Sequence, residues 1–409
     1  FNFEVKTNFQ TLCLLCIRGV KQFAFSSFVA SLAIAMAGGL FLGTWKIKEG
    51  TQDAFNLSSG GFDAVLGARG SKLQLILNAI YHLEASPGNL KWEQYEIIKN
   101  TPGVKAAYPL AVGDNFMGYR LVGTLTSLFE DHEWKEGIKY QVQGGGRFFS
   151  DNAKEALVGN FVANKLNLKV GDTFQPYHGL TFREDSKHDE TYVIVGILDA
   201  TGTPADKVIW VPIKGIQLME GHAKEYASSV SAVLVKLRGA AGFALEMKYK
   251  KQGNQATLAW PIAATLAQFF DRLIWFEKVL EWIAYLVGLV AGLIILAVLR
   301  NSMNERKREF AILRCLGASR SFIIRVVLGQ SLIISLFGVI GSLLIYFIMS
   351  GVASYFIREQ TGVLLDPLSI DFTFIYVFLV ILFLGLISAL PSAFQAYRVD
   401  ISKSLRPLA

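Results

Sequence analysis

Four long runs without an acidic or basic side chain restrict what this chain can become: residues 23–45, 282–299, 326–357 and 372–397. A helix needs about 20 apolar residues to cross about 30 Å of hydrocarbon, so each run is long enough to span a bilayer. So many runs cannot be hidden inside a soluble protein of 409 residues, of which 52% are hydrophobic and only 18% charged. Run 326–357 exceeds a single crossing, so it is expected to continue out of the bilayer or to bend near Gly338, Gly341 or Gly351. No Asp, Glu, Lys or Arg lies within the runs, which argues against the buried ionic relay of a channel or secondary transporter.

The positive charge lies between and outside these runs. Residues 300–325 hold Arg300, Arg306, Lys307, Arg308, Arg314, Arg320 and Arg325 against only Glu305 and Glu309. Lys6, Arg18 and Lys21 precede the first run, and Arg398, Lys403 and Arg406 follow the last. Together these three segments exceed the whole chain's net charge of +7, so the remainder is net negative. Basic loops stay in the cytoplasm, which predicts an inner-membrane, multi-pass protein with both termini inside. The basic balance is thus a topology signal and gives no reason to expect nucleic acid as a partner.

The resulting fold class is four transmembrane α-helices with a large α/β extracytoplasmic domain between the first and second. Residues 1–22 read as a cytoplasmic amphipathic helix, with Phe9, Leu12, Cys16 and Val20 on one stripe. Residues 23–45 are the first span, read as an uncleaved signal anchor. Residues 46–268 form the outer domain, expected as two α/β subdomains that divide near residue 140, either separate or exchanging strands. Residues 269–300 are a stalk and second span, because Asp271, Arg272, Glu277, Lys278 and Glu281 make its start too polar for lipid. A cytoplasmic coupling helix (301–320), third span (321–357), outer loop (358–371), fourth span (372–397) and cytoplasmic tail (398–409) complete the chain. Within the outer domain, 155–174 reads as strand, helix, Gly171–Asp172 turn and strand. Residues 61–89 stand out as insertion-like, suited to contact cargo, a partner or a dimer mate.

Catalytic signatures are missing. "GARGSK" (67–72) lacks the spacing of a phosphate-binding loop, and no G-x-S-x-G, HExxH or paired CxxC is present. Cys13, Cys16 and Cys315 all fall on the expected cytoplasmic side, so no disulfide framework holds the outer domain. The histidines His82, His132, His178, His188 and His222 all fall outside. "EDHE" (130–133) and "KHDE" (187–190) set acids beside histidine, but the spacing matches no ligand signature and no metal site is assigned.

The segment "NERKREFAILRCLGASR" lies between the second and third spans. Phe310, Leu313 and Gly317 recur at helical spacing, with Ile312 and Leu316 beside them, while Arg306, Arg308, Arg314 and Arg320 point elsewhere. A basic helix resting on anionic lipid does not account for Glu305 and Glu309 or for the break at Gly317. An acid among bases with a glycine stop suits docking into a protein groove.

"RKREFAILRCLGASRSFIIRVVLGQSLIISLFGVIGSLL" resembles the signature of FtsX/MacB-type ABC permeases, the group that includes the LolC and LolE lipoprotein-release subunits. "TPGVKAAYPL" and "GGGRFFSDNAKEALVGNFVANKLNLKVGDTF" are similar to that family's extracytoplasmic domain. The resemblance implies a non-catalytic permease served by two copies of a separate cytoplasmic ABC ATPase, which would bind the ATP and Mg; no cofactor is expected in this chain. It also implies a homodimer or a paired homologous permease that moves or extracts lipidated or amphiphilic cargo by mechanotransmission. A periplasmic adaptor or lipoprotein carrier and membrane lipids are the other partners it suggests. An FtsX-like scaffold regulating cell-wall hydrolases is the alternative, and the size of the outer domain favours the first. The coupling residues implied are Glu305, Arg306, Arg308, Glu309, Phe310, Leu313, Arg314 and Gly317, with Glu309 matching the acid at the ATPase contact.

Overall fold

A computed structural model of the protein describes residues 9–57, 59–219, 227–251, 255–272, 274–364 and 371–397. The expected cytoplasmic tail and His222 lie outside these residues. The chain divides into two units, one holding the spans (up to residue 49, 274–353 and from 366) and one holding residues 50–273 and 354–365.

Among the described residues, the first unit is built of helices and short turns. Helices α1 (Phe9–Gln22), α2 (Ala24–Leu57), α3 (Ile274–Glu305), α4 (Lys307–Cys315), α5 (Arg320–Thr361) and α6 (Phe372–Tyr397) follow in chain order. Four of them, α2, α3, α5 and α6, are long and apolar enough to cross a membrane. Their outward faces stay apolar, as at Phe28, Leu289, Phe337 and Phe383, which is what lipid requires of a surface.

Helix α5 runs unbroken for 42 residues, so the long third run continues past one crossing without a break at its glycines. Those glycines serve close approach instead. A β-carbon at Gly338 or Gly341 would press on Ile34 or Ala35 of α2, and one at Gly38 would collide with Ser342 of α5. Small residues facing each other let two backbones come together where lipid offers no hydrophobic drive. Ser31 Oγ adds a 2.9 Å hydrogen bond to the Ile334 carbonyl across this seam. In α1, Cys16 is buried against Gly329 of α5 and donates to the Val326 carbonyl, the part of a small core residue. Lys46 of α2 pairs with Asp371 just before α6.

The second unit is built on one ten-stranded mixed sheet. Its strands are β1 (Ala64–Ala68), β2 (Val104–Phe116), β3 (Tyr119–Thr124), β4 (Glu155–Val158), β5 (Thr173–Phe174), β6 (Tyr177–His178), β7 (Tyr192–Ile197), β8 (Ile209–Pro212), β9 (Ala232–Leu237) and β10 (Ala256–Ala259). The order is β10-β1-β9-β2-β3-β8-β4-β7-β5, with β6 pairing alongside β2. Adjacent residues point to opposite faces, and both faces are covered. Leu66, Val158, Val211 and Val235 join one core with Tyr95 and Ile98 of helix Trp92–Lys99. Val65, Leu157, Trp210 and Leu234 join the other with Leu75 and Ile76 of helix Lys72–Ala79 and Leu266 of helix Ile262–Arg272. Burial on both faces explains why β9 and β8 read as nearly continuous apolar runs.

The sheet has two arms that share β2, which pairs with β9 through Leu110 and with β3 from Ala111 onward. The chain builds part of one arm, crosses to build the other, and returns through β9 and β10 to finish the first. One expectation changes here: residues 61–89 are not an insertion. They supply β1, hydrogen-bonded on both sides, and the buried helix Lys72–Ala79. The periodicity of a short buried strand is faint, and this stretch hid its core role behind flanking glycines.

Candidate coupling site

Residues 301–320 do not form one helix. Helix α3 extends to Glu305, the backbone turns at Arg306, α4 occupies Lys307–Cys315, and α5 begins at Arg320. The hydrogen-bond ladder bridges the turn, from Arg306 N to the Ser302 carbonyl and from Phe310 N to the Arg306 carbonyl. The far end is a Schellman motif. Ala318 N bonds the Leu313 carbonyl and Gly317 N the Arg314 carbonyl, while Gly317 takes a φ of +98° that L residues avoid. Leu313 and Ala318, partly buried together, make the apolar contact that accompanies this motif. Ser319 Oγ then accepts from Phe322 N at 3.2 Å and caps α5.

The segment is braced from beneath and at both ends. Phe310 is 2% exposed and Ala311 fully buried, both packed into the helical core. Arg306 is only 4% exposed. Its Nε donates to Glu309 Oε2 at 2.7 Å, its guanidinium covers the Phe310 ring at 5.2 Å, and Nη1 lies beside Gln330 of α5 where α1 presents Gly19. A β-carbon at position 19 would strike both side chains, so the glycine lets α1 lie over the turn. Gln395 Nε2 of α6 donates to Asn304 Oδ1 at 3.2 Å, and Arg320 lies 5.0 Å from the ring of Tyr397.

This bracing divides the expected coupling residues. Glu305, Arg308, Glu309 and Gly317 are exposed, and Arg314 is half-buried. Phe310 and Leu313 face inward, and Arg306 lies under the helix, contrary to its expected outward place. The apolar residues on the open face are Ile312, 45% exposed, and Leu316, 64% exposed. From Glu309 these fall at i+3 and i+7, so one exposed stripe of α4 and its end carries an acid and two apolar side chains, with exposed Glu305 just before the turn. That stripe was legible as a helical period once counted from Glu309; counting from Phe310 selected the inward face.

Residues 27–245 match the MacB-like periplasmic core domain family, and residues 282–398 match the FtsX-like permease C-terminal family. The chain belongs to the FtsX/MacB-type ABC permeases. Among solved structures, it is similar to the periplasmic region of MacB from Actinobacillus actinomycetemcomitans, at 11% identity over 52% of this chain and 94% of that one, with a TM-score of 0.35. It is also similar to the extracellular domain of the noncanonic ABC-type transporter YknZ from Gram-positive bacteria, at 16% identity over 48% of this chain and 99% of that one, with a TM-score of 0.30. No curated protein matches it. Permeases of this family are the generally non-catalytic membrane component of ABC transporters, working with a partner ATPase and often as oligomers. This permease is accordingly an inner-membrane protein whose MacB-like domain, between the first two spans, is extracytoplasmic.

Proposed function

We propose that this permease transmits force from a separate cytoplasmic ABC ATPase to its extracytoplasmic domain, and so moves or extracts lipidated or amphiphilic cargo. The observation that carries this reading is the exposure of Glu305, Glu309, Ile312 and Leu316 on a segment braced by Arg306 and by α6. A handle must be exposed to be gripped and fixed to its own domain to transmit a pull. Two copies of the permease, identical or homologous, would face two ATPase subunits, with the basic segments in the cytoplasm. Cargo need not cross the spans, whose runs hold no charged side chain. The extent of the outer unit, residues 50–273 and 354–365, favours cargo handling over an FtsX-like control of cell-wall hydrolases.

Charge reversal at Glu309 together with Leu316→Glu should abolish co-purification with the ATPase in detergent while membrane insertion is retained. Undiminished ATPase recovery from that double variant would refute the coupling assignment. Once the complex is assembled, ATP-dependent release of a lipoprotein from proteoliposomes separates cargo extraction from hydrolase control.

A further inference from the structure

The sequence pairs His132 and His188 with acids next to them in the chain. His132 is a core residue, its ring stacked on Phe62 at 4.0 Å and its Nε2 2.6 Å from the Gly60 carbonyl. His188 lies beside Asp114, in β2, more than seventy residues earlier in the chain. There it meets His178 of β6, whose register sets it directly opposite Asp114. Asp114 Oδ1 is 3.3 Å from His188 Nε2 and 3.5 Å from His178 Nδ1, and the three donor atoms lie within 4.8 Å of one another.

We propose that Asp114, His178 and His188 form a binding site for a divalent transition-metal ion of the zinc type. With bonds of about 2.0–2.1 Å, donors around tetrahedral zinc stand about 3.3 Å apart, which both edges from Asp114 already approach. Two imidazoles and a carboxylate leave a fourth position for water, and imidazole selects zinc over calcium or magnesium. Burial supports the same assignment. Asp114 is 0% exposed and His188 only 8%, so two of the three ligands are held in fixed positions beneath the surface.

The fold has placed these residues deliberately close. β2 carries a bulge between Val112 and Asp114, and Gly179 N bonds the Gly113 carbonyl within it. Asn115 Nδ2 donates to the Gly179 carbonyl at 2.9 Å, His188 N bonds the Pro176 carbonyl, and Tyr177 bridges Lys187. The loop from 177 to 188 is therefore closed on itself by its backbone and laid against the bulge. A metal would tie its two ends to β2 at one point. His178, with a side chain 57% exposed, leaves the site open to incoming ions.

The test uses untagged full-length protein in detergent, stripped with chelator and titrated with Zn2+ by calorimetry and with Co2+ as an absorbing substitute. One equivalent should bind, Co2+ should give a tetrahedral visible spectrum, and zinc should raise the unfolding temperature. His178→Ala removes an exposed side chain, so it should keep the metal-free stability of the wild type while zinc affinity falls at least tenfold. His188→Ala and Asp114→Asn should lose the Co2+ spectrum. Absence of saturable zinc uptake by the wild type, or uptake unchanged in both His178→Ala and His188→Ala, would overturn the site.

Discussion

Two histidines of the outer unit make its stability depend on pH. His82 takes a backbone φ of +54°, with its ring edge-on to Trp210 at 5.6 Å. Burial, and next the charge of Arg120, push its pKa from 6.5 down to about 3. His132 is lowered too, chiefly by burial, against the opposing pull of the Gly60 carbonyl. Both pKa values are depressed in the folded state, so below about 6.5 the unfolded chain takes up protons that the folded chain refuses. Stability is therefore complete above that value and is lost progressively as the pH falls towards 3. The unfolding temperature in detergent should drop between pH 6.5 and pH 4, and His82→Asn should flatten that decline. Asparagine suits the residue because it tolerates a positive φ. An unchanged slope in the variant would show that His82 takes no part. None of this was legible beforehand: "EDHE" advertises an exposed acidic loop, and only the stacking of Phe62 on His132 reveals a core residue.

At the scale of the element, α4 separates two arginines that look alike in sequence. Arg306 is buried and clasps Glu309 and Phe310, whereas Arg308 is exposed on the same short segment. Arg306→Gln should cost about 1–3 kcal/mol, because the buried charged hydrogen bond and the ring contact are both lost. Arg308→Gln should change stability by less than about 0.5 kcal/mol and reduce ATPase recovery instead. Thermal unfolding and co-purification, measured on both variants, distinguish these roles; equal behaviour would refute the division. The helix itself was readable, since period, acid and terminal glycine all marked it. Its orientation was not, because an arginine's depth is decided by what lies over it. Here Gly19 of α1 and Gln330 of α5 enclose it, and both are distant in sequence.

For the whole molecule, the spans and their number followed from apolar length, a signal that no tertiary contact overrides. Several strands of the outer domain were legible but β1 and β10 were not, and the register of its strand exchange was out of reach because the return of β9 to β2 joins segments far apart in the chain. Orientation across the bilayer has an internal reporter. Cys315 is exposed on α4, whereas Cys16 is buried and Cys13 half-buried. A membrane-impermeant maleimide should label Cys315 in inverted vesicles and leave it unlabelled in intact spheroplasts; the opposite pattern would reverse the proposed topology. The continuity of β2 has a mechanical side as well. An assembly that works by displacement behaves as springs in series, and its softest member absorbs most of the stroke. One strand of 13 residues hydrogen-bonded into both arms removes the hinge that two separate lobes would have had. One compliant line within that strand is the bulge at 112–114, where the register slips. Asp114, His178 and His188 gather at that line, so an ion joining them would stiffen the outer plate where its two arms meet.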